Sequence, residues 1–197
     1  MKNTAKQVAK LLNYLASNPN AEIQYRDSGM QLSIYSNVSY LSVSQAISRA
    51  SGIHFISEGP PKPQNPEDFI PTVNGIILVV CKIMRNIMES VAEAEYGNIL
   101  INAQTAVPIC TTLNEMGRKQ GPTDIQIENY TAVGITTKEF CQKKAKALDM
   151  RLYWINDRIE QGKFLVFWIP GPENLGDYHS KHHPPEHHIA VRSIPHT

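Results

Sequence analysis

Glu95 is an acidic residue that the sequence places on the apolar side of a predicted helix. On a helical wheel it lies on the apolar face of a predicted helix, beside Val91 and Ile99, whereas Glu93 lies at the edge of that face. An unpaired buried glutamate is costly, so a carboxylate in such a place usually meets a cation or a metal. The alternative is an interfacial glutamate that pairs with an arginine or reaches solvent.

Two further carboxylates follow predicted strands. Glu128 ends a short apolar strand and is followed at once by a turn, where open α/β sheets place ligands. Asp177 follows an apolar strand and a Pro-Gly-Pro turn, in a segment where Asn174 could cap a helix. Each has an ordinary alternative: a solvated strand end for Glu128, and for Asp177 a first-turn acid favoured by the helix dipole.

Length and composition predict one globular domain, with room for an appendage, because the chain has 197 residues of which 42% are apolar. The net charge of +1 gives no global attraction to nucleic acid, so any such affinity needs a local basic patch. Cys81, Cys110 and Cys141 lie far apart without metal-ligand spacing. They indicate a reduced, intracellular protein, cytoplasmic or nuclear, and no run is long enough to span a bilayer.

One segment has a marked basic excess and another is rich in histidine. The basic residues are Lys138, Lys143, Lys144, Lys146 and Arg151, against only Glu139 and Asp149. Lysines in such a run bind the phosphates of a nucleic acid without distinguishing its base sequence. The alternative is that the run is only the solvated start of a helix. Residues 179–188 contain five histidines, which favour a flexible tail over a Zn²⁺ site because Pro184 and Pro185 are expected to break any helix.

The hydrophobic pattern predicts a mixed α/β sheet with crossover helices. An amphipathic helix over 4–17 comes first, and a proline-rich exposed loop is expected at 58–69. Predicted strands cover 22–25, 31–36, 51–56, 75–83, 123–128 and 164–169. Predicted helices are a long one around 88–103, a second from Pro108 to Gly117, a small one from Thr131, one over 142–161 and a last one at Asp177.

The ordered combination of motifs resembles the RNase H domain of copia-type retrotransposon polyproteins, over roughly residues 5–185. The motifs are Ser-Ile-Tyr-Ser-Asn (33–37), Ala-Glu-Ala-Glu-Tyr (92–96), Gln-Ile-Glu-Asn-Tyr-Thr-Ala (126–132), the helix 146–159, Phe-Leu-Val-Phe-Trp-Ile-Pro (164–170) and Asn-Leu-Gly-Asp-Tyr-His-Ser-Lys (174–181). The resemblance implies an RNase H-like mixed five-stranded sheet flanked by helices. It divides the chain into an N-terminal helix and connection segment (1–28), an RNase H-like domain (29–185) and a His-containing tail (186–197).

The resemblance also implies a site and partners. The metal ligands would map to Asn37, Glu95, Glu128 and Asp177, which would hold two Mg²⁺ ions for cleavage of RNA in RNA/DNA hybrids. The leading helix would follow the reverse transcriptase portion of the same polyprotein, so that portion is an expected partner together with nucleic acid.

The chain departs from the family pattern at three places, since the family usually has Asp at the positions of Asn37 and Glu128 and often has a His near Ala147. Asn37 offers a neutral carbonyl oxygen and an NH₂ group that repels a cation, so it removes one charge from the site. Glu128 keeps the charge but has a longer side chain, which displaces its oxygens. Three functions remain open: a working nuclease, a catalytically impaired nucleic-acid-binding module, which Asn37 favours, and a protein-interaction module without nucleic-acid affinity.

Overall fold

The computed structural model describes residues 2–20, 22, 25–43, 46–59, 71–85, 88–136, 146–181 and 183–192. Its centre is a five-stranded mixed sheet in the order β3-β2-β1-β4-β5. The strands are β1 (Gln31–Val43), β2 (Ile47–Ser57), β3 (Asn74–Ile83), β4 (Thr123–Ile127) and β5 (Phe164–Trp168). The first three form an antiparallel meander, and β4 pairs parallel with both β1 and β5. The predicted mixed five-stranded sheet is therefore confirmed.

Helices connect the parallel strands and flank the sheet. They are α1 (Lys2–Ser17), α2 (Val91–Glu115), α3 (Tyr130–Thr136), α4 (Lys146–Glu160), α5 (Asp177–Ser180) and α6 (Pro185–Arg192). The long helix α2 joins β3 to β4, while α3 and α4 lie between β4 and β5. Because α2 packs on β1 and β2, its residues can reach the polar positions in the middle of the sheet.

Neighbouring residues of a strand point to opposite faces of the sheet. In this sheet both faces carry apolar side chains. Ile34 lies in the main core beneath α2, with Tyr96 and Ile99 of that helix. Its neighbour Tyr35 lies in a second cluster and stacks on Phe55, with ring centroids 5.1 Å apart. Burial on both faces explains why β1 is buried over most of its length rather than alternating between buried and exposed.

The predicted strand at 22–25 is wrong at the two of its residues that the structure describes, since Glu22 and Tyr25 lie outside any strand. The chain beyond them is held by a side chain instead of a strand ladder. The Asn74 amide accepts from Arg26 N at 2.7 Å and donates to Arg26 O at 2.8 Å. One asparagine therefore satisfies both backbone groups that a neighbouring strand would have paired.

The predicted division of the long helix at Pro108 is also wrong, because α2 continues through this proline to Glu115. A proline inside a helix removes one hydrogen bond and crowds the carbonyl four residues earlier. That carbonyl belongs to Gln104, which is exposed, as is Val107. Water can satisfy the freed group on this side while the buried face keeps its packing.

Helix α6 corrects the prediction for the C-terminal segment. Pro185 was expected to break any helix, yet it is the first residue of α6. The fixed φ of proline suits the first helical turn, where its missing N–H has no partner to lose. The segment from Pro185 to Arg192 is therefore helical rather than the flexible tail that was expected. Most of the proline-rich loop (residues 60–69) and residues 142–145 of the predicted fourth helix lie outside the described residues.

Candidate functional site

Asn37 lies in β1 at the position where the neighbouring parallel strand ends. The pairing of Tyr35 with Gln126, continued for two residues, brings Asn37 level with Glu128, directly after β4. The Asn37 side chain is fully buried. Its Nδ2 donates to Asp177 Oδ1 at 2.6 Å and to Ser180 Oγ at 2.9 Å. A carboxylate only accepts, so the NH₂ group must be the end of the amide that faces Asp177.

Asp177 is the first residue of α5, a single turn that packs across β1 and β2. The turn is fixed by Ser51 of β2, whose Oγ donates to Gly176 O at 2.7 Å. A side chain at Gly176 would lie 3.2 Å from both the backbone nitrogen and Cβ of Asn37. The close approach of α5 to β1 therefore depends on a glycine directly before the aspartate.

Asn174 differs from its predicted role as a helix cap. Its Nδ2 donates to Ser36 O at 3.0 Å, and its Oδ1 accepts from Gly176 N at 3.0 Å. Gly176 is the residue that precedes α5. Asn174 therefore holds the turn before α5 against β1 instead of capping the helix.

Glu95 enters the site from α2, and only 1% of its surface is exposed. Burial raises the pKa of Glu95 to about 8, and the charge of Glu128 adds to the rise. The backbone of Val38, next to Asn37, hydrogen-bonds to Glu95 and opposes this shift. Oε2 of Glu95 is buried without a hydrogen-bond partner among the described residues. Burial therefore favours the protonated form of Glu95.

Glu128 is less buried than Glu95 and lies among charges. Burial raises its pKa, Lys181 opposes that effect, and Asp177 adds to it. Its backbone oxygen accepts from Trp168 Nε1 at 3.0 Å, which ties the end of β4 to β5. Glu128 is within electrostatic range of Glu95 and of Asp177, and the Asn37 amide contacts Asp177 directly, but the three carboxylates are not grouped closely enough to hold a metal ion.

Sequence reasoning missed a buried amide network beneath the site. Asn98 Nδ2 donates to Asn37 O at 2.7 Å, to Ser36 Oγ at 2.8 Å and to Ser51 O at 3.0 Å. One turn along α2, Asn102 donates to the same two serines and to Asn98 Oδ1. Asn98 thus fixes the backbone of Asn37. The signal was present in the sequence as two asparagines four residues apart on the apolar face of α2.

The other residues predicted for function are placed only in part. Lys138, Lys143 and Lys144 lie outside the described residues. Lys146 and Arg151 belong to α4, of which only the backbone is described at these two positions. The basic run as a nucleic-acid contact therefore stays a prediction.

Histidines of α5, of α6 and of the segment between them pack around Tyr178. The rings of His183 and His187 stack with centroids 4.0 Å apart, and Tyr178 stacks on His183 at 5.7 Å. Tyr178 Oη lies 2.8 Å from His188 Nδ1. In the described part of the chain, no three His, Cys, Asp or Glu residues are grouped to hold a metal ion.

The carboxylate site as arranged does not fit the pair of divalent cations that the resemblance implies. Such a pair needs several anionic oxygens around ions about 3.5–4 Å apart. The buried Asn37 Oδ1 and Glu95 Oε2 atoms, which lack partners among the described residues, would suit a cation. However, Asp177 Oδ1 already accepts from Asn37 Nδ2 and from Lys181 Nζ, each at 2.6 Å. That oxygen is therefore taken, and the acidic side chains of the described residues are not grouped closely enough to hold a metal ion.

The raised pKa of Glu95 predicts that the free energy of unfolding falls as the pH rises. Between its ordinary value of 4.5 and about 8, the folded chain holds a proton that the unfolded chain has lost. Stability decreases with pH wherever the folded state binds more protons. We expect Glu95→Gln, which is always neutral, to lose less stability than the wild type between about pH 5 and pH 8, by on the order of 3 kcal/mol.

Urea denaturation of both proteins at the two pH values measures this difference. Burial also raises the pKa of Asp124, to about 6, and this carboxyl accepts from Ser33 Oγ at 2.7 Å. Asp124 contributes a slope of the same sign to both proteins, so the wild type and the variant share it. If the free energy of unfolding changed equally with pH in the wild type and the variant, Glu95 would not hold its proton in the folded chain.

Solved structures share this fold at low sequence identity. The chain is similar to the N-terminal RNase H domain of a Mycobacterium tuberculosis protein, solved as a fusion with maltose-binding protein, with a TM-score of 0.54 and 8% identity over 83% of this chain and 96% of that one. It is also similar to an RNase H1 isolated from compost by a metagenomic approach, with a TM-score of 0.53 and 11% identity over 76% and 91% of the two chains. The same compost enzyme in complex with an RNA/DNA hybrid gives a TM-score of 0.51.

These likenesses establish that the chain has the RNase H-like fold. No protein-family model and no curated protein sequence matches the chain. Among the described residues, no helix is both long and apolar enough to cross a membrane.

Proposed function

We propose that this chain is an RNase H-like domain derived from a copia-type retrotransposon polyprotein, which binds RNA/DNA hybrids and hydrolyses their RNA strand poorly. The observation that carries the proposal is the contact between the Asn37 amide and Asp177, with Glu128 within electrostatic range of both Asp177 and Glu95. Similarity to RNase H domains shows the fold alone, and the ordered motifs of the chain support the retrotransposon origin.

The hydrogen bonds of Asn37 support the impairment of hydrolysis. Two-metal hydrolysis of a phosphodiester needs one ion to activate water and another to stabilise the leaving oxygen. A carboxylate in β1 could face both ions, whereas Asn37 turns an NH₂ group into the site and donates it to Asp177. Glu128 has the ancestral charge on a longer arm, which misplaces its oxygens beyond the tolerance of about 0.5 Å for such sites. Mg²⁺ would be the ancestral cofactor.

Loss of hydrolysis leaves a route to binding. A hybrid duplex is recognised mostly through its A-like shape, its phosphates and its 2′-hydroxyl groups, none of which requires a metal. The basic run from Lys138 to Arg151 is the segment of the sequence best suited to the phosphates. We therefore assign it the electrostatic part of hybrid affinity.

Neutralising Lys143, Lys144 and Lys146 together to Gln is expected to weaken hybrid binding to a similar extent for unrelated sequences. The slope of log affinity against log salt should flatten by roughly one unit for each phosphate that the protein no longer neutralises, because each neutralised phosphate releases condensed counterions. Fluorescence anisotropy of labelled hybrids over a range of salt concentrations measures both effects.

The matched control for this experiment replaces three exposed lysines from other parts of the chain. Lys82, Lys119 and Lys163 are exposed, and the same change of net charge there should leave the slope nearly unaltered. Equal slopes for the wild type and the first variant would remove the basic run from the proposal. Equal flattening by both variants would show that net charge alone is responsible.

A second candidate function, protein interaction, is favoured by the exposed apolar face of α1. Val8, Leu11, Leu12 and Leu15 are each between 49% and 58% exposed. Their helical spacing forms one continuous apolar stripe. The retrotransposon resemblance suggests the reverse transcriptase portion of the same polyprotein as the partner. If protein interaction were the only function, the chain would not bind an RNA/DNA hybrid at moderate salt. Hybrid binding therefore separates the two functions.

A further inference from the structure

Lys181 places a positive charge among the three carboxylates of the candidate site. It lies one helical turn after Asp177, and its Nζ is 2.6 Å from Asp177 Oδ1. The hydrogen bond to Asp177 raises the pKa of Lys181, and the charges of Asp177, Glu128 and Glu95 raise it further. The ammonium group is thus in direct contact with Asp177, and Glu128 and Glu95 lie within the range of its charge.

The oxygen contacted by Lys181 is already surrounded by donors. Asp177 Oδ1 also accepts from Asn37 Nδ2 at 2.6 Å, and Ser180 Oγ lies 3.3 Å away. A divalent cation binds through free oxygen lone pairs, which these donors occupy. The buried Glu95 Oε2, in contrast, has no hydrogen-bond partner among the residues that the structure describes. One carboxyl of the site therefore has an oxygen without a partner among the described residues, while another has an oxygen that is already occupied.

We propose that Lys181 is the internal cation of this site and that its ammonium group competes with divalent cations for the carboxylates of Glu95, Glu128 and Asp177. The inference rests on the proposed function only in treating this place as the ancestral metal site. It explains how the carboxylates of Asp177 and Glu128 are tolerated near each other, since the positive charge of Lys181 offsets their repulsion. It also makes Lys181 a positioning residue for Asp177.

The competition is limited in strength because the Lys181 side chain is 46% exposed. An exposed ion pair is screened by water, and the lysine can move into solvent when a metal ion binds. We therefore expect removal of the Lys181 charge to raise the affinity for a divalent cation by roughly threefold to tenfold, because a partly exposed ion pair contributes only a small free energy.

The test uses Mn²⁺ alone as the probe and the full chain without nucleic acid. Lys181→Met and Lys181→Gln both remove the charge, and the free-ion signal in electron paramagnetic resonance reports how much Mn²⁺ is bound. Both variants should bind Mn²⁺ roughly threefold to tenfold more tightly than the wild type. Lys181→Arg, which keeps the charge, should have a Mn²⁺ affinity within about twofold of that of the wild type.

Thermal melting is a second measurement. With chelator present, both neutral variants should melt at a lower temperature than the wild type, and added Mn²⁺ should raise their melting temperature by more than it raises that of the wild type.

Lys163→Met is the matched control because Lys163 is an exposed lysine directly before β5, whereas Asp177 and Lys181 follow the other end of that strand. It should leave Mn²⁺ affinity unchanged. Equal affinities for the wild type and the neutral variants, weaker binding by the variants, an equal gain with Lys163→Met, or no measurable binding by any of these proteins would each overturn the inference. Hybrid binding is measured separately and without Mn²⁺, so failure of the proposed function gives a different result.

Discussion

Asn37→Asp is expected to produce Mg²⁺-dependent cleavage of the RNA strand of a hybrid, at a rate at least about a hundredfold above that of the wild type, which corresponds to about 3 kcal/mol. The substitution removes the NH₂ group that now lies 2.6 Å from Asp177 Oδ1 and puts a second carboxylate beside it. Two carboxylates so close repel each other unless a cation lies between them. The same change therefore frees a metal ligand and favours metal binding.

Three further variants show whether Asn37 is the main defect. Glu128→Asp alone should recover little activity, because Asn37 still donates into the site. The double variant should exceed both, since ligands of one metal pair act as a unit and their effects do not add. Adding Glu95→Gln to Asn37→Asp should abolish the gain. Cleavage is followed on denaturing gels with an end-labelled RNA strand. An Asn37→Asp protein that binds the hybrid and stays inactive would show that the main defect lies elsewhere.

Gly52→Ala is expected to destabilise the fold by roughly 2–4 kcal/mol, through overpacking and the loss of buried hydrogen bonds. A Cβ at this position of β2 would lie 1.8 Å from Asn102 Oδ1. Asn102 is fully buried and makes hydrogen bonds to Ser36 and Ser51, so it cannot move aside without leaving amide groups unpaired. Urea denaturation measures the destabilisation.

Gly121→Ala is the control for this prediction. Its nearest contact would be Gln31 Oε1, at an acceptable 3.4 Å, and Gly121 is exposed. We expect it to change the free energy of unfolding by less than about 0.5 kcal/mol, as for an ordinary surface substitution. Equal effects of the two alanines would mean that the amide network beneath Asn37 is not rigid.

The elements of the sheet could be predicted from the sequence because their patterns are local. Alternating or continuous apolar runs between turn residues locate β1 to β5, and helical spacing locates α2. The predicted ends of the first two strands are wrong, because β1 continues through Asn37 to Val43 and β2 begins at Ile47. The errors came where distant contacts decide the outcome. Pro108 stays inside α2 because the buried face of that helix holds it in place, and Arg26 is fixed by Asn74, 48 residues away in sequence. Neither contact is visible in a sequence window.

The site shows the same division. The helical wheel singled out Glu95 correctly as a buried carboxylate, since burial follows from the periodicity of α2. The direction of the Asn37 amide and the position of the Lys181 ammonium depend on side-chain rotamers and on the packing of α5 against β1. Sequence spacing does not determine either one. The sequence therefore selected the candidate residues, while the hydrogen bonds of Asn37 and Lys181 came from the structure.

The most direct test of the proposed function is one binding reaction analysed for both occupancy and integrity of the hybrid. The wild-type chain is incubated with an end-labelled RNA/DNA hybrid in Mg²⁺ at about 0.1 M salt, where exposed charges more than about 10 Å apart are screened. The complex is then isolated on a native gel, and its RNA strand is examined on a denaturing gel. We predict a bound hybrid whose RNA remains intact. A hybrid that is not bound, or an RNA strand that is cleaved at an ordinary enzymatic rate of about 1 s⁻¹ or more, would contradict the account.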